Sequence, residues 1–247
     1  MTRVNVLLVL VIAATADGQL LENTLGAASE SVNGLVSSTI SWLDIATSIG
    51  SRECTVSPDA DADACRNVSE IIRSRGFEVE EYTVTTPDGY LIDIQRVINP
   101  LVDPEYRAKR RPVLLEPAYI TSSVDWVIDS RFARPTPWSS ENRTEDLDDI
   151  DMGLSEEEED RRYPRSLAYY LSNRGHDVFV SNYRGNIYAQ RHVNKTVYDP
   201  EFWDFSIDEQ IDIDLPLKIE LLQRVTGHEK IAYVGWSQGH DNVWSAC

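Results

Sequence analysis

The sequence predicts an α/β fold in which a mostly parallel sheet carries helices on both faces. Short apolar runs alternate with helix-patterned stretches along the second half of the chain, the order that builds crossover connections. Glycines close the helical stretches, and a Pro-Asp-Gly turn joins two β-rich segments ahead of them. With 247 residues, 42% of them hydrophobic, the chain is long enough to bury one sizeable core.

In chain order, Val68 to Arg75 suits a helix ended at Gly76, where a residue without Cβ accepts the left-handed turn. Glu81 to Thr86 and Tyr90 to Val97 form a hairpin across Pro87-Asp88-Gly89, with proline presetting the turn and glycine supplying positive φ. Pro112 to Glu116 reads as a buried strand, Ser166 to Arg174 as a helix stopped at Gly175, and Asp177 to Ser181 as the next strand. A longer helix from about Ile207 to Val225 is closed by Gly227, and Ile231 to Val234 forms a further apolar strand. Residues 20–50 place Val32, Val36, Ile40 and Leu43 on one helical face, a peripheral helix, propeptide or linker.

Charge limits the partners. Against 23 Lys and Arg stand 41 Asp and Glu, and the net charge of −18 disfavours nucleic acid and anionic membrane surfaces. A neutral ester substrate stays open. Glu141 to Arg162 holds eleven acids and three basic residues, and its run Glu156 to Asp160 is expected to remain solvated and mobile.

The first residues read as a signal peptide over 1–18: Arg3 precedes an apolar run from Val6 to Ala14 that is too short to span a bilayer, and small residues follow for cleavage. No other stretch is long and apolar enough to be read as a transmembrane segment. Three Asn-x-Ser/Thr acceptors, Asn67, Asn142 and Asn194, fit a glycosylated chain of the secretory route. Cys54 and Cys65 could pair in that compartment, leaving Cys247 over, and the cysteine spacing suits no zinc site.

The sharpest motif is Gly235-Trp236-Ser237-Gln238-Gly239, directly after an apolar strand. A serine on such a strand-to-helix turn is strained and exposed, and the flanking glycines let the turn close, so Ser237 is the candidate nucleophile. Upstream stand Thr86-Pro87-Asp88-Gly89-Tyr90, then Asn182-Tyr183-Arg184-Gly185-Asn186-Ile187-Tyr188, then Phe202-Trp203-Asp204-Phe205-Ser206 with Asp208-Glu209 and Asp214-Leu215-Pro216. In this order, and with the serine turn that follows, these segments resemble the acid lipases, the family of lysosomal acid lipase and gastric lipase.

The resemblance implies an α/β-hydrolase fold, here truncated after the nucleophile elbow, and hydrolysis of lipid esters, whether acylglycerols or sterol esters. With the readings above, the chain is expected to divide into a signal peptide (1–18), an N-terminal helical or linker segment (19–66) and, by the resemblance, the N-terminal portion of a lipase domain (67–247) with an acidic insertion at 141–162. The backbone N–H groups of Gln238 and Tyr119 inherit the oxyanion-hole role. Pro117-Ala118-Tyr119 replaces the family's His-Gly-Leu turn, Trp236 replaces a histidine, and His240-Asp241 replace small residues. His192 matches a family histidine and reads as structural, while His176 and His228 read as solvated boundary residues.

Ten residues follow Ser237, so the triad Asp and His, which this fold carries on later loops, are expected to be absent from the chain. The 247-residue chain alone is therefore expected to be inactive, whether as an incomplete gene product or as a protein that no longer works as a lipase. Its last strand is expected to leave an aggregation-prone edge. The alternative is a secreted, non-catalytic lipase descendant that binds lipid or protein. No cofactor or metal is implied, a secreted or lysosomal location is expected, and oligomeric state is left open.

Overall fold

A computed structural model describes residues 61–118, 121–138 and 154–239. The described residues all belong to one compact unit, Cys54–Cys247. The expected signal peptide, the 20–50 helix, Cys54, Tyr119, Asn142, His240, Asp241 and Cys247 lie outside the described residues, as does most of the acidic insertion. Cys65 is disulfide-bonded.

The strands are β1 (Glu78–Thr85), β2 (Tyr90–Ile98), β3 (Val113–Glu116), β4 (Val178–Val180), β5 (Arg191–His192) and β6 (Ala232–Gly235). The helices are α1 (Val68–Ser74), α2 (Pro104–Ala108), α3 (Glu156–Arg162), α4 (Leu167–Asn173) and α5 (Leu215–Thr226). One sheet in the order β1-β2-β4-β3-β6, with β5 beside β2, holds them together. Its β4-β3-β6 portion is parallel, as expected, while the hairpin joins β4 antiparallel, so the whole is mixed.

Period-two alternation distributes the strand side chains to the two faces. Val97, Val113, Leu115, Val178 and Val180 face α1 and α4, where Val68, Ile71, Ile72, Ala168 and Tyr169 complete a buried cluster. The intervening residues Ile94, Leu114 and Phe179 face α5 and pack on Leu215, Leu221 and Leu222. Each fully buried aliphatic or aromatic side chain contributes about 1.5–3 kcal/mol. A one-residue slip of β3 would exchange the two cores, so the register is strongly specified.

The helix ends follow their caps. Asn67 and Glu70 form a reciprocal capping box at α1, and Gly227 closes α5 at φ +74°. Ahead of α5 the helix begins at Ile207–Glu209 and widens into a π-turn over Gln210–Asp214, just before Pro216.

The acidic run departs from its expectation at one end: Glu156 to Glu159 are exposed as expected, but Asp160 is buried. Ser155 and Glu158 form a capping box that starts α3, and four carboxylates in its first turn suit the positive end of the helix. Asp160 is buried, its Oδ2 accepting the Phe132 N–H at 2.6 Å. The end of the insertion is thus anchored to the loop after β3 rather than free in solvent.

Candidate active site

β3 and β6 pair in parallel from Val113–Ala232 to Glu116–Gly235, so both deliver the chain to one end of the sheet. From β3 the chain passes through α4 to β4 on one side, and from β4 through α5 to β6 on the other. The strand order therefore reverses between β3 and β6, and the crevice beyond their carboxyl ends is where open α/β sheets hold ligands.

Ser237 stands in that position. It follows β6 by one residue, is exposed, and has φ +54°, alone among the described non-glycine residues in the left-handed region. Such a conformation costs a side-chain-bearing residue about 1–2 kcal/mol. Close backbone approach sets the turn. A Cβ on Gly239 would lie 2.9 Å from the carbonyl oxygens of Glu116 and Pro117, so only glycine fits there. The Trp236 N–H donates to Glu116 O at 3.2 Å, and the Gly239 N–H returns to Trp236 O at 3.0 Å. Ser237→Gly is expected to relax the turn and raise stability by up to about 1 kcal/mol in urea denaturation, with Ser237→Ala near wild type. Destabilisation by the glycine would count against the strained turn.

Gln238 is buried and its Nε2 donates to Gln210 Oε1 at 2.8 Å, pinning the turn to the π-helical segment. In the facing loop Pro117 has no N–H, and the Ala118 N–H is taken by Thr121 Oγ1 at 3.0 Å, so neither offers a donor to a bound carbonyl.

Beneath the turn lies a polar pair that the sequence reading missed. Lys218 Nζ sits 3.1 Å from both carboxylate oxygens of Glu116, with both side chains buried, and 4.5 Å from the centre of the Tyr183 ring. Burial pushes the Glu116 carboxyl above its ordinary range, and Lys218 opposes that rise. Tyr233 OH bonds the carbonyl of Gly239, so β6 also holds the far side of the turn.

The described histidines are engaged elsewhere. His192 Nδ1 accepts from the Asn194 N–H, so Nε2 carries the proton and donates to Asp88 O at 2.8 Å, the structural role expected for it. His228 Nε2 bonds Ala108 O, and His176 bonds Arg110 Nη2. His176 is half-buried, which corrects its reading as a solvated boundary residue. Among the described residues none of these imidazoles, and no carboxylate, is hydrogen-bonded to Ser237. A cavity of about 540 Å³ lies beside β5, lined by Leu91, by Gln190 to Val193 and by Lys195 to Val197, with no residue of the turn in its wall.

The upstream motifs converge on one side chain. The fully buried Arg184 guanidinium meets Asp214 through Nε and Nη2, and Asp88 through Nη1 at 2.5 Å, while lying 4.3 Å from the centre of the Tyr90 ring. Tyr90 OH donates to Phe202 O, and a Cβ on Gly185 would meet the Phe205 ring at 2.8 Å. Segments far apart in sequence thus form one cluster, and they are the segments that carry the family likeness.

A family model described as a partial alpha/beta-hydrolase lipase region matches residues 68–130. Human lipase member M is 33% identical over 179 residues, 72% of this chain and 35% of that protein. Human lipase member K is 32% identical over 181 residues, covering 73% and 37% of the two chains. Human lysosomal acid lipase/cholesteryl ester hydrolase is 30% identical over 206 residues, 83% of this chain and 43% of its own. The chain is a relative of the acid lipases. It spans well under half the length of these acid-lipase relatives. Its mixed sheet is that of an α/β-hydrolase, described as far as the turn that follows β6.

Proposed function

We propose that this chain is the N-terminal part of a secretory-route lipid ester hydrolase in which Ser237 is the nucleophile. The observation that carries the reading is a strained, exposed serine at the carboxyl end of a parallel strand, on a turn that only glycine at 239 can close. Ser237 Oγ attacks the ester carbonyl, and the N–H groups of Gln238 and Tyr119 receive the developing oxyanion. The acid and base of the triad come from outside the described residues. The substrates are acylglycerols or sterol esters, in keeping with the names of the relatives. Residues 1–18 direct secretion, 19–66 lead into the lipase domain with a Cys54–Cys65 bridge, and 67–247 form its first portion with the acidic insertion at 141–162. Asn67 and Asn194 are exposed and Asn142 joins them as a glycan acceptor.

The 247-residue chain alone should hydrolyse esters at background. A serine hydrolase without its triad partners loses on the order of 10⁶ in turnover. In the native secreted protein, Ser237→Ala should abolish release of fatty acid from emulsified triacylglycerol or cholesteryl ester while leaving the melting temperature unchanged. Full activity in that variant would remove Ser237 from the mechanism. A second reading, a lipase-derived protein that binds lipid or protein without catalysis, is favoured by Pro117 at the facing loop and by exposed Trp236 beside the serine. It predicts no turnover in the native protein, with or without Ser237.

A further inference from the structure

Three buried polar side chains, Gln210, Asp214 and Lys218, stand four residues apart along the helical segment that leads into α5. Positions so spaced share a helix face, and each of the three reaches a different partner. Lys218 meets Glu116, Asp214 meets Arg184, and Gln210 Oε1 accepts from Gln238 Nε2 at 2.8 Å. The π-turn closes on the first of them, the Gln210 carbonyl accepting the Leu215 N–H five residues on.

The Gln210 contact falls on the residue that follows the candidate nucleophile. Gln238 is buried, and its Oε1 has no partner among the described residues, so Gln210 is what this amide bonds there. Before Gln238 stands Ser237 at φ +54°. After it, Gly239 donates its N–H to Trp236 O while its carbonyl accepts from Tyr233 OH. The flanks of Gln238 are thus tied to β6 and its side chain to the π-turn. Gln238 is already helical, so its own N–H belongs to a first turn, where donors have no intrahelical acceptor. The direction of that N–H depends on where the residue is held, and a hydrogen bond between two buried amides is a firm restraint because neither has water to turn to.

We infer that Gln210 is a positioning residue for the ester cleavage proposed above, on which this role rests: through the Gln238 side chain it aims the Gln238 N–H at the oxyanion. Full negative charge reaches that oxygen only as the carbonyl becomes tetrahedral, so a misdirected donor weakens the transition state and leaves the bound ester largely unaffected. Loss of Gln210 therefore acts on kcat and spares KM. Removing an oxyanion donor outright costs about 10²–10³ in turnover, which is the ceiling on what misdirecting one can cost.

The test is steady-state hydrolysis of p-nitrophenyl butyrate, a soluble ester, by the native secreted protein and its variants, with the melting temperature read for each. Gln210→Leu, of similar volume and without an acceptor, is expected to lower kcat by about tenfold to a hundredfold with KM within about twofold of wild type. Gln210→Glu keeps an acceptor oxygen at the same reach and should recover most of the loss. Gln238→Leu removes the same hydrogen bond from the other side while retaining its backbone N–H, so it should lose as much, and the double variant no more than either single one. An unaltered kcat in Gln210→Leu, a loss confined to KM, no recovery in Gln210→Glu, or losses that multiply in the double variant would overturn the role. Should Gln210→Leu fail to fold, Gln238→Leu decides: the expected fall in kcat supports the role, and a kcat near wild type overturns it. Ser237→Ala in the same assay keeps the two roles apart. Full activity there, or no turnover in the unmodified protein, overturns the nucleophile and the role of Gln210 with it, whereas an inactive Ser237→Ala beside an unaffected Gln210→Leu overturns the positioning role alone.

Discussion

Arg184→Met is expected to cost about 3–5 kcal/mol, enough to depopulate the folded state of a domain whose total stability is of the order of 5–15 kcal/mol. The Arg184 and Asp214 side chains are both fully buried, while Asp88 is about one-third exposed at 36%. Removing the guanidinium leaves the Asp214 carboxylate without its counter-charge in the interior, which is the expensive half of the change. Asp88 can turn to water and contributes less. Arg184→Lys should fare only slightly better, since one ammonium cannot bond two carboxylates on different segments while stacking on Tyr90. Pairing Arg184→Met with Asp214→Leu removes the stranded charge and should recover a large part of the loss. Urea denaturation of the single and double variants checks this, and equal destabilisation in both would show that packing, not charge, carries the effect.

Lys218→Met should produce a loss of similar size, about 3–5 kcal/mol, because it strands the Glu116 carboxylate in the core. This variant carries a pH signature. Burial holds the folded-state Glu116 carboxyl above its ordinary value of 4.5, and removing Lys218 removes the attraction that opposes the rise. The folded form then binds a proton more readily than the unfolded form. Stability of Lys218→Met should therefore be greatest at acid pH and fall as pH rises from about 4.5 through the folded-state value. Adding Glu116→Gln should flatten that profile and restore stability toward wild type. Amide exchange at Trp236, whose N–H is held by Glu116 O, should quicken in Lys218→Met and recover in the double variant. A flat pH profile in the single variant would mean that Glu116 binds its proton equally well in the folded and unfolded forms.

Local rules made most of the sheet legible. Gly76, Gly89, Gly175 and Gly227 all adopt the positive φ their positions demanded, and the hairpin and buried strands fall within a few residues of their expected places. Two elements escaped although their cues were present: Asp103-Pro104 caps α2, and Ser155 with Glu158 boxes the start of α3. In the second case the density of charge outweighed the cap in the reading. β5, two residues long, has no periodicity to detect. The serine turn was legible because its constraint is local, a strand, a serine and two glycines. Glu116 with Lys218, and Arg110 with His176, were not, since each pair is far apart in sequence and only the crossovers bring the partners together.

The single cation shared by three segments has an evolutionary corollary. A lineage that discards the carboxylate at 214 gains nothing by keeping the arginine, and once the arginine goes, Asp88 and the glycine beside the Phe205 ring lose their reason to persist. Drift in this part of the molecule should then be concerted, with positions 88, 184, 185 and 214 changing together or holding together. Relatives of this chain can be sorted by whether that quartet survives as a set.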